Sequence, residues 1–258
     1  MKPLIFSKQI AKDKPTDMQG GTKDCPFCDY QETYNILKTQ GELIWTKNKY
    51  PTLEDTFQTL IIETKEHEKN ISSYSYAHNR EMLKFAVDCW QEMKASGKYR
   101  SVLLFKNHGA LSGGSLKHAH MQIVGLDKLD GYEKVSWENM QGMPVAQKGM
   151  VEVNFSLHPV CGFVETNVLI PILKMNTEEF NSFADCIKEV VTYHLENNMK
   201  SFNLFFYELN EHIICKFVPR YPAPPYYIGY QMPQVLDKES LDVVCSELGR
   251  KIKANVVK

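Results

Sequence analysis

The alternation of hydrophobic and polar positions along the chain predicts three helices and a series of short strands. Apolar residues with helical spacing, such as Leu83, Val87 and Trp90, predict a helix over 80–95. Similar stripes predict a helix that Asn176 and Glu179 begin as a capping box, and a last helix near the end of the sequence. Apolar or alternating runs predict strands at 43–45, 60–62, 102–105, 118–124, 151–155, 168–173, 202–207 and 212–218.

The order of these elements repeats once along the chain. Strand, helix, strand, strand occurs in each half, which indicates a duplicated unit in an α+β fold, with helices packed on antiparallel sheet. The duplicated units form either two sheets or one continuous sheet. We expect a polar N-terminal arm over 1–23, a first half over 24–147 and a second half over 148–258. Within the first half, residues 127–147 show no sustained period and indicate a connection between the halves, with room for a short helix.

The densest chemistry lies on the strand predicted at 118–124. His118, His120 and Gln122 alternate onto one face, and Gly113-Gly114-Ser115 precede them with backbone N–H groups that can face an anion. A neutral imidazole can attack phosphorus directly at neutral pH, and His120 stands in the middle of the row. The amide of Gln122 can donate to a phosphoryl oxygen but cannot activate water as a general base. The pattern therefore favours phosphoryl-group transfer over hydrolysis.

A second motif, Cys25-Pro26-Phe27-Cys28, lies near the N-terminus. A Cys-x-x-Cys pair is a redox pair, half of a zinc site or a coincidence. The redox interpretation expects the pair to open a helix after a strand, and no such pattern surrounds it. Zinc is favoured, and a tetrahedral site needs two more ligands from elsewhere in the chain.

Composition excludes several classes of partner. The chain has 258 residues, 43% of them hydrophobic, and a net charge of −1, so charge gives no reason to expect nucleic acid or a membrane as partner. The chain has seven cysteines, an odd number, and its start lacks the apolar core of a signal peptide. It also has no apolar run of about 20 residues. These features predict a reducing, cytoplasmic location.

The site segment resembles the active-site segment of the galactose-1-phosphate uridylyltransferase branch of the histidine-triad superfamily, in which Gln replaces the third His. Ala119 stands where that branch usually has Pro. The resemblance implies two histidine-triad-like halves and a nucleophile, His120, that becomes nucleotidylated. The second half has only His212-Ile213-Ile214-Cys215 at the matching place, so it is degenerate, and the second metal site of some relatives finds no ligands there. Phosphate binding is implied for Asn107, Gly113, Gly114, Ser115 and Gln122.

The same resemblance implies a metal site and further substrate contacts. It joins Cys25 and Cys28 to His67 and His118 around a structural Zn²⁺ that fixes the strand bearing the nucleophile. A rival interpretation makes His118 and His120 joint ligands of an open catalytic zinc, which would leave the phosphate-binding turn without a use. The implied substrate contacts are Asn48 near the base or ribose, unless it only forms a turn, and Tyr230 with Gln231 near the sugar.

Gln231 replaces a Glu of the resembled family, which leaves the identity of the sugar open. The sequence thus predicts a nucleotidyltransferase that passes UMP or AMP between a nucleotide-sugar and a sugar phosphate or nucleotide. A nucleotide-sugar phosphorylase or hydrolase, and a nucleotide-binding regulatory protein with little turnover, are the alternatives. An exposed sheet edge in such a fold would also allow a homodimer.

Overall fold

The structure is a computed structural model that describes residues 3–16, 25–28 and 35–256. Residues 17–23 of the predicted N-terminal arm lie outside the described residues. The chain divides into two compact units: unit 1 comprises Met1–Asn70 and Glu81–Lys134, and unit 2 comprises Ile71–Arg80 and Val135–Lys258. None of the helices in these described ranges combines the length and apolar character that a membrane span requires.

Unit 1 is built on five antiparallel strands. Their order is first, second, third, fifth, fourth. The predicted helical stripe is buried, and the indole N–H of Trp90 donates to the Val102 carbonyl at 2.9 Å. The elements are α1 (Lys8–Lys12), β1 (Ile36–Gln40), β2 (Leu43–Lys47), β3 (Thr56–Ile62), α2 (Tyr76–Ala95, of which 81–95 belong to this unit), β4 (Ser101–His108) and β5 (His120–Leu126).

Unit 2 repeats this arrangement with its own five antiparallel strands. Its longest helix buries Phe183, Ile187 and Val191, as the sequence predicts. The elements are β6 (Gly142–Lys148), β7 (Val151–Ser156), β8 (Thr166–Pro171), α3 (Thr177–Glu196), β9 (Phe202–Leu209), β10 (His212–Pro219), α4 (Pro225–Tyr230) and α5 (Lys238–Asn255).

The two units have the same topology. Unit 2 orders its strands β6-β7-β8-β10-β9, the counterpart of β1-β2-β3-β5-β4 in unit 1, and in both a long helix follows the third strand. The predicted α+β fold with a duplicated strand, helix, strand, strand unit is therefore confirmed. The repeated unit is longer than predicted, because in each unit two further strands precede the strand, helix, strand, strand segment.

Three local predictions are wrong. The strand predicted from residue 118 begins at His120, and His118 lies in a bend where its ring meets Thr64. The segment 127–147 contains the short helix that the sequence allowed, a 3-10 helix at Trp137–Met140, but it also holds most of β6, which was not predicted. Asn176 caps α3 through the Glu179 N–H, but the Glu179 carboxylate accepts from the Met150 N–H instead of completing a capping box.

Candidate active site and metal centre

Four potential metal ligands meet in unit 1. The thiols of Cys25 and Cys28 and the rings of His67 and His118 offer ligand atoms that all lie within 4.8 Å of one another. The Nδ1 atom of His118 is 3.6 Å from Cys25 Sγ and 3.5 Å from Cys28 Sγ, and Nδ1 of His67 is 3.4 Å from Cys28 Sγ. Tetrahedral zinc, with bonds of about 2.3 Å to sulfur and about 2.05 Å to nitrogen, holds S and N atoms about 3.6 Å apart. The donor set and its spacing fit such a dication.

The chemistry of the donors also fits a cation. His118 is fully buried, and its Nε2–H donates to the Thr64 carbonyl at 2.8 Å, which turns the lone pair of Nδ1 toward the two thiols. Burial lowers the pKa of His118, so the ring is neutral, as a ligand must be. Burial raises the pKa of the Cys25 thiol to about 11. A bound dication would lower this pKa again, because it stabilises the thiolate.

His120 stands beside this cluster as the first residue of β5. Its Nδ1 is 2.8 Å from the His118 carbonyl oxygen, to which it donates, so any chemistry of the ring falls to Nε2. The side chain is 7% exposed, and burial, aided by the charge of Lys106, lowers its pKa to about 4. The imidazole is therefore neutral at physiological pH. The metal-ligand cluster in the described residues does not include His120, in contrast to the rival interpretation of an open zinc site.

A buried ion pair supports the start of β5. Lys106 on β4 and Glu63 after β3 are 1% and 0% exposed, and the ammonium group of Lys106 donates to the Glu63 carboxylate. The same ammonium group lies 3.4 Å from the carbonyl oxygen of His120. Nothing in the sequence pattern indicated this pair, because neither residue belongs to a motif and the contact joins positions far apart in the chain.

A cavity of about 430 Å³ opens in front of His120. Its lining includes five residues that the sequence singled out, and four are chemically suited to phosphate: His120, Gln122, Gly114 and Ser115. The fifth, Asn48, also accepts from the Tyr50 N–H at 2.9 Å, as a turn-forming Asn does. The structure thus brings most of the predicted site together on one face of unit 1.

The turn before β5 is shaped by glycine and by one serine. Gly109 and Gly113 have φ values of +81° and +85°, which favour glycine. The hydroxyl of Ser112, which the sequence reasoning missed, donates to the Gly109 carbonyl at 2.7 Å and accepts from the Gly114 N–H at 3.3 Å. Asn107 is the penultimate residue of β4, and neither it nor Gly113 is among the lining residues.

Among the lining residues that the sequence reasoning missed, two act directly on His120. Lys14 follows the short helix of the N-terminal arm, burial lowers its pKa, and its charge adds to the lowering of the pKa of His120. Phe27 places its ring edge-on to the rings of His118 and His120, with centroids 5.8 Å and 5.3 Å away. The position of Phe27 between the two cysteines was the only sequence signal available for either residue.

The last two predicted site residues belong to unit 2. Tyr230 ends α4 with 75% of its side chain exposed, and Gln231 follows it with a φ of +54° as the C-cap. Their expected contact with a sugar remains a prediction.

Comparisons with known proteins agree with the fold. The N-terminal and C-terminal models of a domain of unknown function, DUF4931, match residues 6–129 and 132–251. A DUF4931 family protein from Bacillus cereus is 41% identical, with a TM-score of 0.74 over 84% of this chain and 99% of that chain. No curated protein matches the sequence.

More distant structures share the architecture. An ADP-glucose phosphorylase from Arabidopsis thaliana with bound ADP-glucose is 16% identical, with a TM-score of 0.72 over 94% of each chain. A uridylyltransferase is 14% identical, with a TM-score of 0.68 over 90% of this chain and 91% of that chain. The chain therefore shares its fold with this phosphorylase and this uridylyltransferase, as its resemblance to the uridylyltransferases predicted. With both family models matched and 41% identity to a solved member, the chain belongs to the DUF4931 family.

Proposed function

We propose that this protein is a nucleotidyltransferase that works by double displacement through a nucleotidyl-His120 intermediate. The observation that carries the proposal is the state of His120: a neutral imidazole, anchored through Nδ1, on the wall of a cavity whose lining also includes a Gly-Ser turn and three lysines. The transferred group is UMP or AMP, and the donor is a nucleotide-sugar.

In the first half-reaction Nε2 of His120 attacks the α-phosphorus of the nucleotide-sugar. A bond forms between Nε2 and phosphorus, and the bond from phosphorus to the bridging oxygen breaks, so a sugar 1-phosphate leaves with the electron pair. The positive charge that develops on the ring is shared with Nδ1–H, which already donates to the His118 carbonyl. The leaving phosphate needs no proton, which suits a site whose third position is Gln122.

In the second half-reaction an acceptor phosphate oxygen attacks the same phosphorus. The phosphorus–nitrogen bond breaks, Nε2 regains its lone pair, and the nucleotide leaves on its new acceptor. The acceptor is a second sugar phosphate or a nucleotide. An amide at Gln122 can hold a phosphoryl oxygen in both steps but cannot deprotonate water, so transfer is favoured over hydrolysis.

The negative charge of the phosphates is met by local groups. Gly114 and Ser115 line the cavity in the turn that Ser112 holds in shape. Because the Gly114 N–H already donates to the Ser112 hydroxyl, we assign the N–H and hydroxyl groups of Ser115 to the phosphoryl oxygens, and Gly114 to the close approach of the backbone. Lys14 contributes the cation that a pyrophosphate group requires in a chain with a net charge of −1. Asn107, near the end of β4, and Gly113, in the turn, are assigned supporting positions next to the phosphates. Asn48 is assigned to the base or ribose, and Tyr230 and Gln231 to the sugar.

The metal site has a structural role in this proposal. Cys25, Cys28, His67 and His118 would hold Zn²⁺, which would supply a cross-link between the N-terminal segment and the bend before β5. His118 then fixes the carbonyl group that anchors His120.

A nucleotide-sugar phosphorylase is the second candidate. It is favoured by the similarity to the ADP-glucose phosphorylase fold, which extends over 94% of both chains. Here inorganic phosphate attacks the nucleotidyl-histidine, and a nucleoside diphosphate is released. The covalent step and the role of His120 are the same, so the two activities differ only in the acceptor.

An isotope-exchange experiment tests the covalent step and separates the acceptors. Zinc-loaded full-length protein is incubated with UDP-glucose or ADP-glucose and labelled glucose 1-phosphate, without any second nucleotide. Double displacement predicts that label enters the nucleotide-sugar, and His120→Asn should abolish the exchange while metal content stays unchanged. Addition of inorganic phosphate should release nucleoside diphosphate if the protein is a phosphorylase. A protein that binds these nucleotide-sugars but supports neither exchange nor phosphorolysis would be a regulatory binder, contrary to the proposal.

A further inference from the structure

Unit 2 contains a histidine at the position that His120 occupies in unit 1. In unit 1 the fifth strand starts at His120, which pairs with Ile62, the last residue of the third strand. In unit 2 the fifth strand starts at His212, which pairs with Pro171, again the last residue of the third strand. His212 is therefore the topological counterpart of His120.

The two rings are also anchored in the same way. Nδ1 of His212 lies 2.7 Å from the carbonyl oxygen of Asn210, and Nδ1 of His120 lies 2.8 Å from that of His118. Each ring thus bonds to the carbonyl two residues earlier, and this leaves Nε2 as the acceptor nitrogen in both. The same histidine geometry therefore occurs once in each copy of the repeat.

A second cavity, of about 360 Å³, is lined by His212. The strand positions behind it match those behind the first cavity: Leu169 pairs with Ile214, as Leu60 pairs with Gln122. Glu152 pairs with Leu169, so it takes the place that Thr46 has beside Leu60. The two cavities are therefore equivalent sites on equivalent sheets, with different side chains.

The phosphate-binding elements of unit 1 are missing from this second cavity. Between β4 and β5 lie residues 109–119 with the Gly-Ser turn, whereas β9 and β10 are joined by Asn210 and Glu211 alone. Within the described part of the chain, the lining contains no lysine or arginine and has one carboxylate, Glu152, which Asn154 holds at 2.7 Å. Such a site repels phosphate groups.

What remains is suited to an uncharged, planar ligand. Trp137 offers an aromatic face next to His212, with ring centroids 5.2 Å apart and planes at 43°, and Leu169 adds an apolar wall. Nε2 of His212 and the Glu152 carboxylate are acceptors, and the amides of Gln141 and Gln147 donate and accept. Aromatic faces with a few polar edges are typical of sites for nucleobases.

We propose that the cavity of unit 2 binds an unphosphorylated nucleoside or base that carries an exocyclic amino group, without covalent chemistry. The heterocycle stacks on Trp137, and its amino group donates to Nε2 of His212 and to the Glu152 carboxylate. The proposal concerns a site other than that of His120, and it does not depend on the nucleotidyl transfer proposed above.

Fluorine NMR of the full chain labelled with 5-fluorotryptophan tests this. The chain has three tryptophans, of which Trp45 and Trp90 lie in unit 1 and Trp137 in unit 2, so each unit reports separately. Adenosine is the probe, and the resonances are assigned with single Trp→Phe variants. We expect adenosine to shift the Trp137 resonance in a saturable manner, in wild type and equally in His120→Asn. AMP should bind at Trp137 about tenfold or more weakly than adenosine, because its phosphate meets Glu152.

Two variants make the test specific. His212→Phe keeps a ring but removes the acceptor nitrogen. Glu152→Gln removes the negative charge of an exposed side chain and keeps an oxygen that can accept from Asn154. His212→Phe should weaken adenosine binding at Trp137 about tenfold, the effect of losing one hydrogen bond to a partly buried acceptor. Glu152→Gln should weaken adenosine binding by less, because the amide oxygen still accepts, and it should bring the affinity for AMP closer to that for adenosine, because it removes the negative charge. The proposal is wrong if saturating adenosine leaves the Trp137 resonance in place, if AMP binds there as tightly as adenosine, or if both variants bind like wild type. None of these outcomes bears on isotope exchange at His120.

Discussion

The two units share one topology but differ in the connection between their last two strands. In unit 1 this connection spans residues 109–119 and carries two positive-φ glycines, the Ser112 hydroxyl and His118. In unit 2 it is the two-residue turn Asn210-Glu211, whose residues have φ values of +47° and +61°. The sheet supplies a histidine at the start of the next strand in both cases. The Gly-Ser turn and His118, one of the four candidate metal ligands, are additions to that common frame. The proposed chemistry therefore depends on a loop that has no counterpart between β9 and β10.

The buried ion pairs extend the comparison. Unit 1 buries Lys106 against Glu63, and unit 2 buries Lys216 against Glu165, all at 1% exposure or less. In unit 1 the ammonium group also reaches the His120 carbonyl, whereas in unit 2 it donates to the Asn139 carbonyl at 2.8 Å, in the 3-10 segment. The same kind of interaction therefore supports the strand that begins with the candidate nucleophile in unit 1 and the Trp137–Met140 segment in unit 2.

The largest expected effect comes from replacing, in separate variants, the corresponding histidine of each unit by asparagine. His120→Asn should reduce isotope exchange by at least about a thousandfold, because the nucleophile of a double displacement cannot be replaced by an amide. His212→Asn should leave the exchange rate within about twofold of wild type, since its cavity lacks phosphate ligands. Equal losses in both variants would show that the two histidines do not differ as the loops suggest.

The buried lysines offer the next comparison. Lys106→Met and Lys216→Met each leave a carboxylate buried without its cation, so we expect each to lower the free energy of unfolding by about 3–5 kcal/mol in urea denaturation. Only Lys106→Met should also slow isotope exchange per folded molecule. The double variant Lys106→Met/Glu63→Leu should regain stability without regaining the exchange rate. An exchange rate that follows stability alone would refute a positioning role for Lys106.

Loss of the metal should affect unit 1 alone. Cys28→Ser should reduce bound zinc to background. It should also lower the free energy of amide-exchange protection in β5 by about 3 kcal/mol, because a ligand present at a few hundred times its Kd stabilises the folded state by about that amount. Cys161→Ser is the matched control, because this thiol contacts the Tyr227 hydroxyl in unit 2 at 3.5 Å. Retention of one zinc per chain in Cys28→Ser would contradict the assigned ligands.

The smallest expected effect is a pH dependence that arises in unit 2. His194 is buried against Phe217, and burial lowers its pKa to about 3, below the value of about 6.5 expected after unfolding. Between about pH 3 and about pH 6.5 the unfolded chain therefore binds one proton more than the folded chain. The contribution of neutral His194 to the free energy of unfolding is complete above about pH 6.5 and is lost as the pH falls. Stability should decrease by about 2 kcal/mol from pH 7 to pH 5 through this residue. His194→Gln should flatten the urea-derived curve by that amount, and an unchanged slope would contradict the assignment.

Much of the fold could be predicted from the sequence because buried faces leave a periodic pattern. The stripes of α2 and α3 and the buried strands are of this kind. The missed strands are the outermost in their units: β1 is exposed throughout, and β6 contains Pro144 and a register shift, so neither shows an alternation. An edge strand is held by backbone pairing, which side-chain periodicity does not record.

The candidate site was predictable where its residues are close together in the sequence. His118, His120, Gln122 and the Gly-Ser turn form one motif, the Cys-x-x-Cys pair forms another, and the resemblance supplied His67. Lys14 and the pair Lys106 and Glu63 could not be found, because their importance arises only from contacts between distant segments. Trp137 was missed for a related reason, since it lies in a segment that showed no periodicity.

Intact-mass analysis with peptide mapping tests the central claim most directly. Zinc-loaded protein is mixed with UDP-glucose or ADP-glucose, quenched under alkaline conditions that preserve phosphorus–nitrogen bonds, and digested. We expect a gain of one nucleoside monophosphate, located on the peptide that contains His120, and no gain in His120→Asn. A nucleotide located on His212 or another side chain, or bound nucleotide-sugar with no covalent adduct, would contradict the account.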